Sequence, residues 1–213
     1  MAAPASAGKR RKYAPRLPAE QRRQQLLDAA LRVIVERGHF NVTMEEVASA
    51  AGVTKPVVYG VFGTREELLH ALLQREQEQA SAQVLAALPD ISQGIPDGDR
   101  RELLITALRA LLQAVMDKPD RWRCILLPPG GTPTVVRNAI ELNRAVVLER
   151  IKVVATWYLD ELDMPSGLDP ELTAHAVLAL VEAGGRLLLT DPERYEPERF
   201  IGALRAVFEA ADR

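Results

Sequence analysis

The chain is poor in the residues that carry most covalent and metal chemistry. A single cysteine in 213 residues leaves Cys124 without a partner for an intramolecular disulfide and without a CxxC pattern for a metal. It reads as a small buried hydrophobe in a reducing compartment. The three histidines, His39, His70 and His175, have no metal-ligand spacing. There is no GxSxG, no glycine-rich phosphate loop and no acidic run of EF-hand type. The usual signatures of an enzyme are thus missing, and neither a cofactor nor a metal is implied. Long apolar runs are missing too. LLITALRALLQAVM is interrupted by charge well short of the roughly 20 residues a bilayer demands, so no membrane crossing is expected. The opening MAAPASAGKRRKYAPR has charges but no apolar centre, unlike a secretory signal, and the expected location is the cytoplasm.

What is present suffices for a core: 47% of the residues are apolar and 26% charged, which fits one or two globular domains. The formal net charge of -2 conceals an asymmetry. Residues 1–75 carry 12 Lys and Arg against 7 Asp and Glu, and the remainder carries 15 against 22. A polyanion is therefore expected to meet the N-terminal part and not the body.

Apolar residues recur at intervals of three and four, and no segment sustains period two, which predicts an all-α chain of about nine helices. Leu26, Ala30, Val33 and Ile34 form the stripe of a first helix, beginning near Glu20 and ending at Gly38. Thr43 with Glu46 is a capping-box pattern for a second helix, which stops at Gly52. Thr54 is the expected N-cap of a very short third helix through about Val61, with Pro56 tolerated in its first turn. Thr64 with Glu67 repeats the capping box and starts a long fourth helix toward Leu88. ISQGIPDGD and PPGGTP read as loops. The remaining helices are expected from about Arg100 to Met116, around Trp122 to Leu127, from about Thr134 to Leu162, from Asp169 to about Thr190, and from Pro197 to Ala211.

Two helices joined through Gly52, the second short and presented at its N-terminus, have the form of a helix-turn-helix, whose second helix lies in the DNA major groove. Val47, Ala48, Ala51, Val53, Val58 and Phe62 can make the small core, which leaves Lys55, Val57 and Tyr59 pointing away. The competing reading is an ordinary helical hairpin.

The run LLDAALRVIVERGHFNVTMEEVASAAGVTKPVVYGVFGTREELLHALL resembles the DNA-binding domain of TetR family transcriptional regulators. It carries an apolar pair before two alanines, a Gly ending the first helix, a Thr opening the second, an "iA..aGvs" turn, an "lY.hF" element and an "sKeeLl" start to the fourth helix. It departs at Pro56, where a small residue is common, at Val61, where His or Tyr is usual, and at Arg65, where Lys is usual. The resemblance implies that Thr43, Tyr59 and Arg65 contact phosphates while Thr54, Lys55, Pro56 and Val57 face base edges. Lys55 can donate to guanine, and Pro56 and Val57 can touch thymine methyls. Tyr59 could instead be a packing aromatic. The basic tract with Lys9, Arg10, Arg11, Lys12 and Arg16 is expected to be an arm along the phosphates or in the minor groove, the alternative being a solvated tail.

The same resemblance implies an organisation into a basic arm at 1–18, a three-helix DNA-binding domain at 19–66 and a helical effector-binding and dimerisation domain at 67–213. Met116, Trp122, Cys124, Leu126, Asn143, Val147, Trp157 and Tyr158 would make an apolar lining for a hydrophobic or aromatic effector, with His175 as a polar anchor. Plain core is the alternative for each lining residue, and a partly exposed or satisfied histidine is the alternative for His175. The last two helices carry more apolar surface than one layer easily covers. By the resemblance they would pair with a second copy through Leu178, Val181, Gly184, Gly185, Leu188, Leu204 and Phe208, or else pack within the chain. The expected function is a homodimeric one-component regulator, a repressor released from a palindromic double-stranded operator by a small molecule. The alternative is a DNA-binding regulator controlled by a protein partner, or an activator, without such an inducer.

Overall fold

The computed structural model describes residues 17–89, 99–128, 132–161 and 168–211. Among these the chain is all-α, with no strand. Helix α1 (Ala19–Arg37) buries Leu26, Leu27, Ala29, Ala30, Val33 and Ile34 along one stripe and ends at Gly38, whose φ of 81° favours glycine. A 3-10 turn at His39–Asn41, not anticipated from the pattern, leads to α2 (Met44–Ala51). The Thr43 hydroxyl accepts from the Glu46 N–H at 3.1 Å to cap α2. Gly52 closes α2 in the left-handed region (φ 67°), which turns the chain into α3 (Lys55–Val61). Thr54 holds the N-cap position of α3 as expected, but its side chain makes no cap hydrogen bond.

Helix α4 (Arg65–Ala87) opens with Thr64 accepting from the Glu67 N–H at 3.1 Å. The returning bond from Glu67 takes the Gly63 N–H at 2.8 Å, one residue before the cap. The body follows as α5 (Arg100–Asp117), α6 (Pro119–Leu126), α7 (Thr134–Glu161), α8 (Pro170–Thr190) and α9 (Pro197–Ala211). Helix α6 begins before Trp122, because Pro119 can occupy a first helical turn that needs no N–H. Most of the first expected loop, half of the second, and Leu162 lie outside the described residues.

Two main apolar clusters result. The first joins α1, α2 and α3 to Leu68 and Leu72 of α4, and Cys124 of α6 packs against it. The second gathers Ala80 of α4 with Leu112, Val115, Trp122, Leu188 and Leu189. A smaller one holds Ile151, Ala174 and Leu178 between α7 and α8. Helix α4 therefore contributes to both main cores, so the expected division at residue 66 falls where one core extends past it.

Candidate nucleic-acid interface and its link to the body

Helix α3 is set by Val58 (0% exposed), with Phe62 (2%) just beyond its end, both locked in the first cluster. At 3.6 residues per turn that leaves the opposite face outward: Lys55, Pro56, Tyr59 and Gly60 are exposed, and Val57 is half-buried. Thr43 and Thr54 are exposed on the same segment. The structure thus brings Thr43, Thr54, Lys55, Pro56, Val57 and Tyr59 together on α2, α3 and the turn between them. Arg10, Arg11 and Lys12, with the rest of the basic arm, lie outside the described residues. Lys55 Nζ lies 3.7 Å from Glu45 Oε2 in an exposed pair, the kind that contributes little and leaves the ammonium available.

Arg65 differs from the expectation of a cation presented mainly to phosphate. Its Nε donates to the Val42 carbonyl at 2.6 Å and its Nη2 to the His39 carbonyl at 2.9 Å, which ties the start of α4 to the 3-10 turn. On the His39 carbonyl the guanidinium joins the Val42 N–H, which reaches it at 3.4 Å, because a carbonyl oxygen can accept two hydrogen bonds. His39 itself is 8% exposed. Burial, and then the charge of Arg65, push its imidazole below the usual histidine value. Arg23, which the sequence reading passed over, stands 4.8 Å above the Phe62 ring. Its distance from Phe62 in the chain hid the pairing.

Behind this face a buried ionic relay crosses between the two clusters. Arg75 donates to Asp28 Oδ1 at 2.7 Å and Gln24 Oε1 at 2.9 Å on α1, and its Nε to Glu76 Oε1 at 2.7 Å. The other Glu76 oxygen accepts from Arg121 Nε of α6 at 2.6 Å. Arg121 continues to Gln83 at 2.9 Å and to Gln79. Glu76 is 7% exposed and Arg121 5%, so these charges depend on one another. No motif announces the relay; the only sequence signal is polar residues on the inward side of α4. A cleft of about 450 Å³ opens beside it, with Asp28, Arg32, Lys118 and Asp120 among its walls. That lining is polar, unlike the apolar pocket expected.

The expected effector residues fall in different surroundings. Trp122 (8% exposed) and Leu126 belong to the second cluster, whereas Cys124 faces the first. Burial pushes the Cys124 thiol up to about 12, with Glu76 and Asp120 adding to the effect, so it stays protonated and unreactive. Met116 is 48% exposed and His175 is exposed, each on the outward side of its helix, apart from the buried Trp122. Asn143 Oδ1 accepts from Ser81 Oγ at 3.3 Å, and Val147 packs on the α7–α8 cluster. Trp157 and Tyr158 meet edge to face at 6.3 Å, and the indole N–H of Trp157 is buried without an acceptor among the described residues. Burial raises the Tyr158 phenol above its ordinary value.

For four of the residues expected at a contact with a second copy, the structure shows packing within the chain. Leu178 packs on Ile151, and Leu188 lies in the second cluster. A Cβ on Gly184 would meet Phe200 at 3.4 Å, and one on Gly185 would meet Leu126 at 2.6 Å. These four therefore face the chain's own core, because α8 is held by α5, α6 and α7 together. Val181, Leu204 and Phe208 are half-buried, with Arg101 5.7 Å above the Phe208 ring. The outward apolar face is instead Leu172 (68% exposed), Leu180 (72%), Leu187 (37%) and, on α9, Val207 (63%). Helix α8 alone has the length and composition to span a membrane, among the described residues, yet Glu182 within it pairs with Arg144 at 2.6 Å.

Residues 26–72 match the family model described as bacterial regulatory proteins, tetR family. The HTH-type transcriptional activator FasR of Mycolicibacterium smegmatis is 37% identical over 110 residues, 52% of this chain and 48% of that protein. The chain spans about half the length of the curated relatives it matches. A crystal structure of a TetR-like transcriptional regulator from Rhodococcus sp. RHA1 superposes with a TM-score of 0.65 at 26% identity, over 89% of this chain and 94% of that one. FadR from Bacillus subtilis in complex with stearoyl-CoA superposes with a TM-score of 0.64 at 18% identity, over 85% and 94%, a likeness of fold.

Proposed function

We propose that this chain, which belongs to the TetR family of bacterial regulatory proteins through its N-terminal domain, acts as a homodimeric repressor that a small hydrophobic effector releases from a palindromic operator. The observation that carries the reading is the outward face of α3, where Lys55, Pro56, Tyr59 and Gly60 are exposed opposite the buried Val58. Residues 1–18 would add a basic arm, 19–66 read the duplex, and 67–213 bind the effector and the second copy. Thr43 and Tyr59 would hold phosphates, and Lys55, Pro56, Val57 and Thr54 would face base edges. Arg65 would position the start of α4, leaving at most its Nη1 for phosphate. The protein would work in the cytoplasm as a binding protein and not as an enzyme.

One short helix reads too few base pairs alone, which calls for two copies on two half-sites. The outward face of Leu172, Leu180, Leu187 and Val207 suits that contact. FadR, which shares this fold, is in complex with stearoyl-CoA, and the apolar acyl chain of that ligand supports a hydrophobic effector here. The relay through Glu76 supports coupling, since a ligand that moves α6 would pull on α4 and α1 together. An effector shifts the equilibrium only by its preference for the released form. Activation is the second reading, because FasR is named an activator.

The deciding experiment is selection from a randomised duplex library, followed by sedimentation of the complex. An enriched inverted repeat bound by two chains is the expected result. Absence of any enriched sequence, or a single chain on a nonrepeating site, overturns the proposal.

A further inference from the structure

Gly60 is a glycine inside a helix with no reason within the chain to be one. Glycine is the poorest helix former apart from proline. Its φ is not positive, since Gly38 and Gly52 are the positive-φ glycines among the described residues. A Cβ built on Gly60 meets nothing within 4 Å among the described residues, in contrast to Gly185, where it would meet Leu126 at 2.6 Å. The chain therefore loses helix stability at this position without gaining packing. On the helix Gly60 lies about 160° from the buried Val58, and Pro56 sits one turn before it at about the same angle on the other side. The crest of the outward face is thus Pro56 and Gly60, a strip with no polar side chain. Lys55 and Tyr59 flank it on one side, the half-buried Val57 and Val61 on the other.

We infer that Gly60 is a specificity-determining position: its bare Cα lets the crest of α3 approach the floor of the major groove more closely than any other residue would allow. The inference rests on the DNA-binding reading and deepens it. A strip of CH groups without donors or acceptors fits thymine methyl groups, whereas base edges with unmet hydrogen-bonding groups would lose water there without replacement. The half-site is therefore read by apolar contact at its centre and by Lys55 at its side.

The test compares the full-length chain with Gly60→Ala, on the duplex that the wild type enriches from a randomised library and on an unselected duplex at the same salt. The added methyl meets nothing among the described residues, so the variant should unfold at the same or a higher temperature than the wild type. Its ratio of affinities, selected over unselected, should fall at least tenfold. Replacing thymine by uracil at the enriched central positions should weaken the wild type more than it weakens Gly60→Ala. An unchanged ratio in a folded Gly60→Ala overturns the close approach while leaving the DNA-binding reading in place. Failure of the wild type to enrich any sequence overturns both.

Discussion

The first three helices and the last two treat their apolar residues in opposite ways. Leu26, Val47 and Val58 are 0% exposed and Phe62 is 2% exposed, in a small core that Leu68 and Leu72 of α4 complete. On α8 and α9, Leu172, Leu180 and Val207 stand 68%, 72% and 63% exposed. Helix α8 is apolar around most of its circumference, so three neighbours in its own chain cover only part of it. The difference teaches that the N-terminal core is buried within the chain, whereas the body leaves large apolar side chains exposed. Between them lies neither kind of surface but a buried set of charges, and the comparison can be tested there first.

Glu76→Leu should have the largest effect. It leaves Arg121, and part of Arg75, buried without their carboxylate, which costs about 3–5 kcal/mol of unfolding free energy in denaturant titration. Glu76→Leu combined with Arg121→Leu should recover much of that loss, since an apolar pair needs no charge partner. A double variant as unstable as the single one would mean that the relay stabilises through Arg75 and α1 alone. Leu180→Glu comes next. A charge on the outward face of α8 should weaken self-association by about 2–4 kcal/mol in sedimentation, while the thermal unfolding of the N-terminal helices stays put. Unaltered association would move the dimer contact elsewhere.

Arg65→Ala should cost about 1.5–3 kcal/mol, because two charge-assisted hydrogen bonds to the Val42 and His39 carbonyls are lost. A variant as stable as the wild type but weaker on all duplexes would restore Arg65 to a phosphate role. The smallest effect concerns His39. Its folded imidazole titrates below the ordinary 6.5, so below that pH the unfolded chain binds more protons than the folded one. Its contribution is complete above pH 6.5 and diminishes as pH falls from there through the lowered folded value. His39→Gln should flatten this part of the pH–stability curve.

The legibility of the sequence followed the same divide. Caps, turn glycines and the stripe of α1 are local signals, and Thr43, Gly52 and Thr64 do in the structure what their positions suggested. Helices of the body were legible for the same reason, through periodicity. Roles in the body were less so. Leu178 and Leu188 are as apolar as Leu172 and Leu180, and composition does not say which pair a neighbouring helix will cover. The exposure of Met116 and His175 was hidden for that reason, and the bonds of Arg65 because its carbonyl partners lie 23 and 26 residues away.

The sequence by itself determined the helices, their order and the short helix that faces outward at Lys55, because capping, helix propensity and hydrophobic period act within a few residues. Tertiary structure alone decided the pairing of Glu76 with Arg121, the occupation of Arg65 by backbone carbonyls and the choice between the two faces of α8. Each of these depends on which distant elements come within a few ångströms, and on the desolvation that follows, and neither is written in local order along the chain.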